Sequence, residues 1–142
     1  MCGLPGSGKT THAKLLEHRL DAVRFCPDEW FEALSLARRD RIEGLQWELA
    51  QRLLKRGVSV IIEWGTWGKA DRDALRLRAR ELGACVELHY LAETVDTLFE
   101  RVRNRDRESP PFTREQILQG VAGFQEPTPE EAALFDGYIR LG

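Results

Sequence analysis

Apolar positions recur along this chain in two alternating patterns, helical stripes and short continuous runs. Ala13, Leu16 and Leu20 stand at i, i+3 and i+7 and predict an amphipathic helix. The run Ala22–Cys26 predicts a short strand, and Pro27-Asp28-Glu29-Trp30 opens the next helix. Ile42, Leu45, Leu49 and Leu53 return to helical spacing, with Gly57 as a stop. Val58–Glu63 is β-branched and nearly continuous, the strongest strand signal in the chain. Leu75, Ala79 and Leu82 mark a helix stopped by Gly83, and Cys85–Leu91 reads as another strand. Val95, Leu98, Phe99 and Val102 form a further stripe. Thr113 with Gln116 is a capping box, with Phe112 and Ile117 as its hydrophobic staple. Thr128-Pro129 repeats the capping logic, and Tyr138–Leu141 is a short final strand. Strands spaced by helices predict parallel βαβ units in one open sheet covered on both faces.

Composition narrows the class. The 142 residues fit a single domain, with 42% hydrophobic content and no linker, repeat or low-complexity segment. A net charge of −2 supplies no global field for nucleic acid. Three cysteines make no disulfide framework, and Cys26 and Cys85 read as small core residues in strand-like runs. No apolar stretch approaches the roughly 20 residues of a membrane span, and no signal peptide is visible, so a cytoplasmic protein is expected. His12, His18 and His89 have no Cys or carboxylate at zinc-ligand spacing.

The chemistry begins at residues 3 to 10. Gly3-Leu4-Pro5-Gly6-Ser7-Gly8-Lys9-Thr10 is a complete GxxxxGK[ST] phosphate-binding loop. Its glycines free the backbone to turn successive N–H groups inward around nucleotide phosphates. Lys9 adds a point charge able to bridge β- and γ-phosphates, and the Thr10 hydroxyl is placed to ligate Mg²⁺. Thr11 is placed for a hydroxyl contact to the α-phosphate, and the following helix directs its positive end at the same anion.

The order of motifs resembles the bacterial AAA-type predicted kinases of the P-loop kinase superfamily, relatives of polynucleotide 5′-kinases, chloramphenicol phosphotransferase and zeta-toxin kinases. The resemblance runs through Cys2–Thr11, Asp28-Glu29-Trp30, Ile61-Ile62-Glu63 with Trp64-Gly65-Thr66-Trp67, and Asp71-Arg72-Asp73. It continues through Gly83–Leu91, Arg101 with Arg105, and Phe124 to Glu131 with Leu134-Phe135-Asp136, covering essentially the whole chain. It implies a three-layer α/β P-loop NTPase fold with a parallel sheet of order 2-3-1-4-5. The loop-leading strand would stand in the middle of that sheet. Only Met1 and Cys2 precede the loop here, so that first strand is apparently missing, and an upstream start is the expected explanation.

Each candidate carries two readings. Asp28 follows a strand end on the side where open α/β sheets bind ligands, and a carboxylate there can orient a hydroxyl acceptor and take its proton; its plain alternative is a helix N-cap. Glu63 ends the strand expected beside the loop, where it can hold Mg²⁺ through water; the alternative is a strand-terminal side chain in solvent. Trp64 and Trp67, with Trp30, are candidates for an aromatic acceptor wall, or for packing under the next helix. Arg72 is a candidate acceptor or phosphate contact, or a surface residue paired with Asp71 or Asp73. Arg101 and Arg105 share a helix face, and the resemblance places them in a lid of about residues 101–112 that closes over ATP. Arg103 and Arg107 read as surface.

The expectation is an ATP- and Mg²⁺-dependent kinase that transfers a phosphoryl group to a hydroxyl acceptor of unidentified structure. The alternatives are an NTPase or nucleotide-gated binding module without a small acceptor, and an inactive truncated form. The residues leave the oligomeric state open.

Overall fold

A computed structural model describes residues 1–34, 39–104 and 113–142. The elements follow in the order α1 (Lys9–Leu20), β1 (Val23–Phe25), α2 (Pro27–Leu34), α3 (Arg39–Leu54), β2 (Val60–Ile62) and α4 (Lys69–Glu81). They continue with β3 (Glu87–Leu91), α5 (Val95–Arg103), α6 (Arg114–Gly123), α7 (Pro129–Ala132) and β4 (Gly137–Leu141). The four strands expected at Ala22–Cys26, Val58–Glu63, Cys85–Leu91 and Tyr138–Leu141 are present; the first three are shorter than their apolar runs, and the last is one residue longer.

Both strand pairings are parallel. Val23 lies opposite Val60 and Phe25 opposite Ile62, while Glu87 lies opposite Gly137 and Leu91 opposite Leu141. The sequence pattern predicts one continuous sheet; among the described residues the ladders instead form two two-stranded ribbons. Cys2 stands between them, bridged in parallel to both Gly65 and Tyr90. Strands bond only across about 4.8 Å, and among the described residues Met1 and Cys2 alone make backbone bonds between β2 and β3, too few for a ladder.

Three apolar clusters hold the layers. Ala13, Ala22 and Ile61, with Met1 and Leu16, fasten α1 to β2. Cys2, Leu88, Tyr90 and Ala92 pack with Phe124 and Phe135 on the other side. Leu98, Val102 and Ile117 join α5 to α6 and receive Leu4 from the phosphate loop. A polar tether adds to these, His12 Nε2 standing 2.8 Å from His89 Nδ1 between α1 and β3. The α5 stripe is therefore buried as its spacing predicts, and the Thr113–Gln116 capping box forms with both of its hydrogen bonds. Thr128 caps α7 with Pro129 in the first turn. Phe112, the expected staple partner of Ile117, lies outside the described residues.

Two expectations are corrected. On α3 the buried positions are Ile42, Gln46 and Ala50, whereas Leu45 and Leu49 are 56% and 40% exposed. At the buried position between the two leucines, Gln46 Oε1 accepts a 2.9 Å hydrogen bond from Trp64 Nε1. An indole N–H withdrawn from solvent is satisfied by such a partner. Cys85, expected in the core, is exposed, because it precedes β3 rather than lying in it. Cys2 and Cys26 are buried, and burial raises both thiol pKa values, that of Cys2 to about 11. With a disulfide-exchange reagent near pH 8, Cys85 is expected to label promptly and the other two only on unfolding. Rapid labelling of all three thiols in the folded protein would contradict this core.

Candidate functional site

The loop from Gly3 to Thr10 folds as its glycines allow. Gly3, Gly6 and Gly8 have φ of 147°, 87° and 94°, in the half of backbone space that side chains disfavour. A Cβ on Gly6 would lie 2.8 Å from the Leu98 carbonyl oxygen, so this turn also needs close approach to α5. Gly8 caps α1 with no side-chain hydrogen bond, and no acidic residue occupies the first turn. The exposed N–H groups and the positive end of the helix dipole therefore coincide at the loop, as an anion requires.

Two polar side chains complete this cradle. Lys9 Nζ donates a 2.9 Å hydrogen bond to the Leu4 carbonyl, which holds the ammonium across the loop. Ser7 Oγ is buried and has no hydrogen-bond partner among the described residues. A buried hydroxyl left unsatisfied is costly, so an orphan inside a phosphate loop fits an absent anionic ligand.

The metal-binding expectation also gains geometry. Thr10 Oγ1 donates to Glu63 Oε1, bringing together the two oxygen donors expected to organise Mg²⁺. Glu63 is buried, not a strand-end side chain in solvent. Its second oxygen accepts a 2.7 Å hydrogen bond from Arg24 Nη1. Arg24 also binds Glu17 at 3.1 Å and Glu29 at 2.7 Å. Burial opposes the guanidinium charge, but hydrogen bonds to Glu29, Glu63 and Glu17 outweigh it and hold the pKa above its ordinary value. A hydroxyl and one carboxylate beside a phosphate site suit Mg²⁺, which takes few protein ligands and keeps its waters.

The loop separates two cavities. One, of about 910 Å³, extends from Lys9 and Thr10 past Asp28 to Trp64 and Trp67. The other, of about 1010 Å³, lies behind Ser7 and Gly8 and is lined by Thr11 and Arg101. Gly8 borders both.

Most candidates converge there. Asp28 is exposed within the first turn of α2, inside the helix rather than at its N-cap, and faces the first cavity. Trp64 lines the same cavity with its ring 6.3 Å from that of Trp47 in an edge-on arrangement. Trp67 is 38% exposed and lines it as well. Trp30 packs instead on Phe25, ring centroids 6.5 Å apart. Arg101 Nη1 reaches the loop, 3.4 Å from the Gly6 carbonyl oxygen and 2.8 Å from Glu93. Arg103 lies over the Phe99 ring at 5.9 Å. Arg105, Arg107 and the rest of the expected lid lie outside the described residues.

Arg72 needs correction. It is neither a free acceptor contact nor a surface partner of Asp71 or Asp73. Only 3% exposed, it forms a two-pronged pair with Glu131, Nε to Oε1 at 2.6 Å and Nη2 to Oε2 at 2.9 Å. Its remaining donor binds the carbonyl oxygens of Thr66 and Trp67 at 3.0 and 3.2 Å. Arg72 thus positions the tryptophan loop from behind. Sequence reasoning also passed over Arg24, Trp47 and Glu131; an arginine inside an apolar strand run was the one local sign among them.

Fold and site together define a P-loop NTPase-like α/β domain. A family model described as AAA domain (AAA_33) matches residues 1–127, and the chain belongs to that family. No curated protein matches it. Among solved structures, Chaetomium thermophilum Kti12 in complex with ADP-AlF3 is similar in fold, with a TM-score of 0.75 at 20% identity. The match covers 99% of this chain and 86% of that one. Among the described residues no helix is long and apolar enough to cross a membrane.

Proposed function

We propose that this domain is an ATP- and Mg²⁺-dependent kinase acting on a hydroxyl group of a small or nucleotide-type acceptor. The observation that carries the reading is the cavity that joins Lys9 and Thr10 to Asp28. A bare nucleotide-binding module does not need a carboxylate in a cavity facing the transferable phosphoryl group; a kinase does. In this reading the backbone of Gly3–Thr10 and Lys9 hold the triphosphate, with Thr11 toward the α-phosphate. Thr10 and Glu63 would hold Mg²⁺, which would supply positive charge beside the phosphates. Asp28 orients the acceptor hydroxyl and accepts its proton as the new O–P bond forms and ADP leaves. Arg101 neutralises charge from the α5 side, joined by Arg105 on lid closure. Adenine preference is supported by the family and by the ADP-AlF3 bound to a protein of similar fold.

The relationship to polynucleotide 5′-kinases, chloramphenicol phosphotransferase and zeta-toxin kinases, and the sheet order 2-3-1-4-5, belong to the same proposal. With the loop-leading strand counted as the first and β1–β4 as the second to fifth, the pairings β1 with β2 and β3 with β4 and the bridges of Cys2 to Gly65 and Tyr90 are compatible with that order.

The test separates binding from transfer. Asp28→Asn is expected to retain affinity for Mg·ATP within about threefold while phosphoryl transfer falls by about 10²–10⁴. Full transfer activity in that variant would remove Asp28 as the base.

A further inference from the structure

Strand register places Arg24 and Glu63 on one face of the β1–β2 ribbon. Arg24 lies opposite Ile61, and Glu63 follows Ile61 by two positions. That face is the one α1 covers, with Ala13 packed on Ile61. Thr10, Ala13 and Glu17 recur on α1 at i, i+3 and i+7 and turn toward it. The phosphate-loop hydroxyl, the carboxylate beside it and one arginine thus meet under a single helix.

Arg24 engages all three nitrogens of its guanidinium. Nη2 donates to both oxygens of Glu29, at 2.8 and 2.7 Å, and Nε donates to Glu17 at 3.1 Å. A planar fork held at two nitrogens is fixed in direction, and the third, Nη1, meets Glu63 Oε2 at 2.7 Å. The Arg24 side chain is 7% exposed and that of Glu63 2%, so solvent screens this pair little. A glutamate side chain rotates freely on its own. With Oε2 held from behind, Oε1 is the oxygen presented to Thr10. Three carboxylates around one guanidinium leave formal negative charge in excess, with Lys14 at the rim 3.6 Å from Glu29. Such an excess beside a phosphate loop suits a divalent cation.

We infer that Arg24 is a positioning residue: by holding Glu63 Oε2 it fixes Oε1 toward Thr10, and so sets how much Mg²⁺ adds to nucleotide affinity. Arg24 lines neither cavity beside the loop, so it acts through Glu63 and not by contact with a phosphate. The inference rests on the proposed assignment of Thr10 and Glu63 to Mg²⁺, and it needs no acceptor.

The experiment is isothermal titration with ATP, once with Mg²⁺ and once with EDTA in its place, at a temperature where each variant is folded. The quantity read is the gain in affinity that Mg²⁺ brings. Arg24→Lys keeps the charge but loses the fork, and is expected to cut that gain by about tenfold. Affinity in EDTA should stay within about twofold. Glu63→Gln should lose the same gain, and adding Arg24→Lys to it should change nothing further. Glu29→Gln, at a side chain 45% exposed, frees the fork from its anchor and should lower the gain in the same direction. That variant decides the matter if Arg24→Lys does not fold. Equal losses with Mg²⁺ and with EDTA mark a purely structural role and overturn the inference. So does a full Arg24→Lys loss that persists in the Glu63→Gln protein. A wild-type protein with no Mg²⁺ gain removes the metal assignment and this inference with it. A wild-type gain that Arg24→Lys and Glu29→Gln both leave intact overturns this inference alone.

Discussion

Replacing Lys9 with alanine is expected to weaken Mg·ATP affinity by about 10–100-fold, the loss that accompanies a charge-assisted hydrogen bond of about 1.5–3 kcal/mol. Stability should change little, because the Nζ bond to the Leu4 carbonyl lies at a partly exposed position. Turnover should fall further than affinity, since the ammonium would follow charge onto the β–γ bridge as transfer proceeds. Lys9→Arg should rescue poorly: a planar fork does not replace a compact charge in a loop drawn this tightly around Gly6 and Gly8. Isothermal titration of the two variants beside the wild type reads this directly. Equal affinities in all three would remove the loop as the nucleotide site.

The second large effect lies behind the site. Arg72→Met leaves the Glu131 carboxylate, 2% exposed, without its guanidinium partner. Stranding one member of a buried ion pair costs about 3–5 kcal/mol. Against a typical total of about 5–15 kcal/mol, that is enough to unfold a sizeable fraction of molecules near 37 °C. Glu131→Leu should behave alike, and the double substitution Arg72→Met with Glu131→Leu should recover much of the loss. Recovery will be incomplete, because Arg72 also donates to the Thr66 and Trp67 carbonyls. Tryptophan fluorescence should therefore shift in every Arg72 variant, including those whose stability is restored. A denaturant series in which the single substitutions cost no more than a surface salt bridge would contradict the assigned pairing.

Arg72 also shows where sequence reading stops. Its partner stands 59 positions away in a four-residue helix, and nothing local to either residue announces the other. By contrast, the phosphate loop was legible because its chemistry is consecutive: glycines, lysine and threonine at fixed offsets need no tertiary information. The Thr113–Gln116 cap and the α5 stripe were legible for the same reason, their partners lying within one or two turns. On α3 the helical period and the burial of Ile42 were legible, but Leu45 and Leu49 are exposed while Gln46, bonded to Trp64, is buried, a placement that leucine spacing does not record. The first three strands were overestimated in length because apolar runs report burial, whereas a ladder also requires a neighbouring backbone. Asp28, Trp64 and Trp67 do converge on one cavity with Lys9, although no single residue among them foretells its size.

The central claim is that this cavity takes an acceptor hydroxyl to the γ-phosphoryl group of ATP. The most direct measurement is incubation with γ-labelled ATP and Mg²⁺ across nucleosides, 5′-OH oligonucleotides, aminoglycosides and sugars. The account predicts that label becomes covalently attached to at least one of these classes, dependent on both Lys9 and Asp28. Release of label only as inorganic phosphate, at a rate no acceptor alters and Asp28→Asn leaves unchanged, would contradict it.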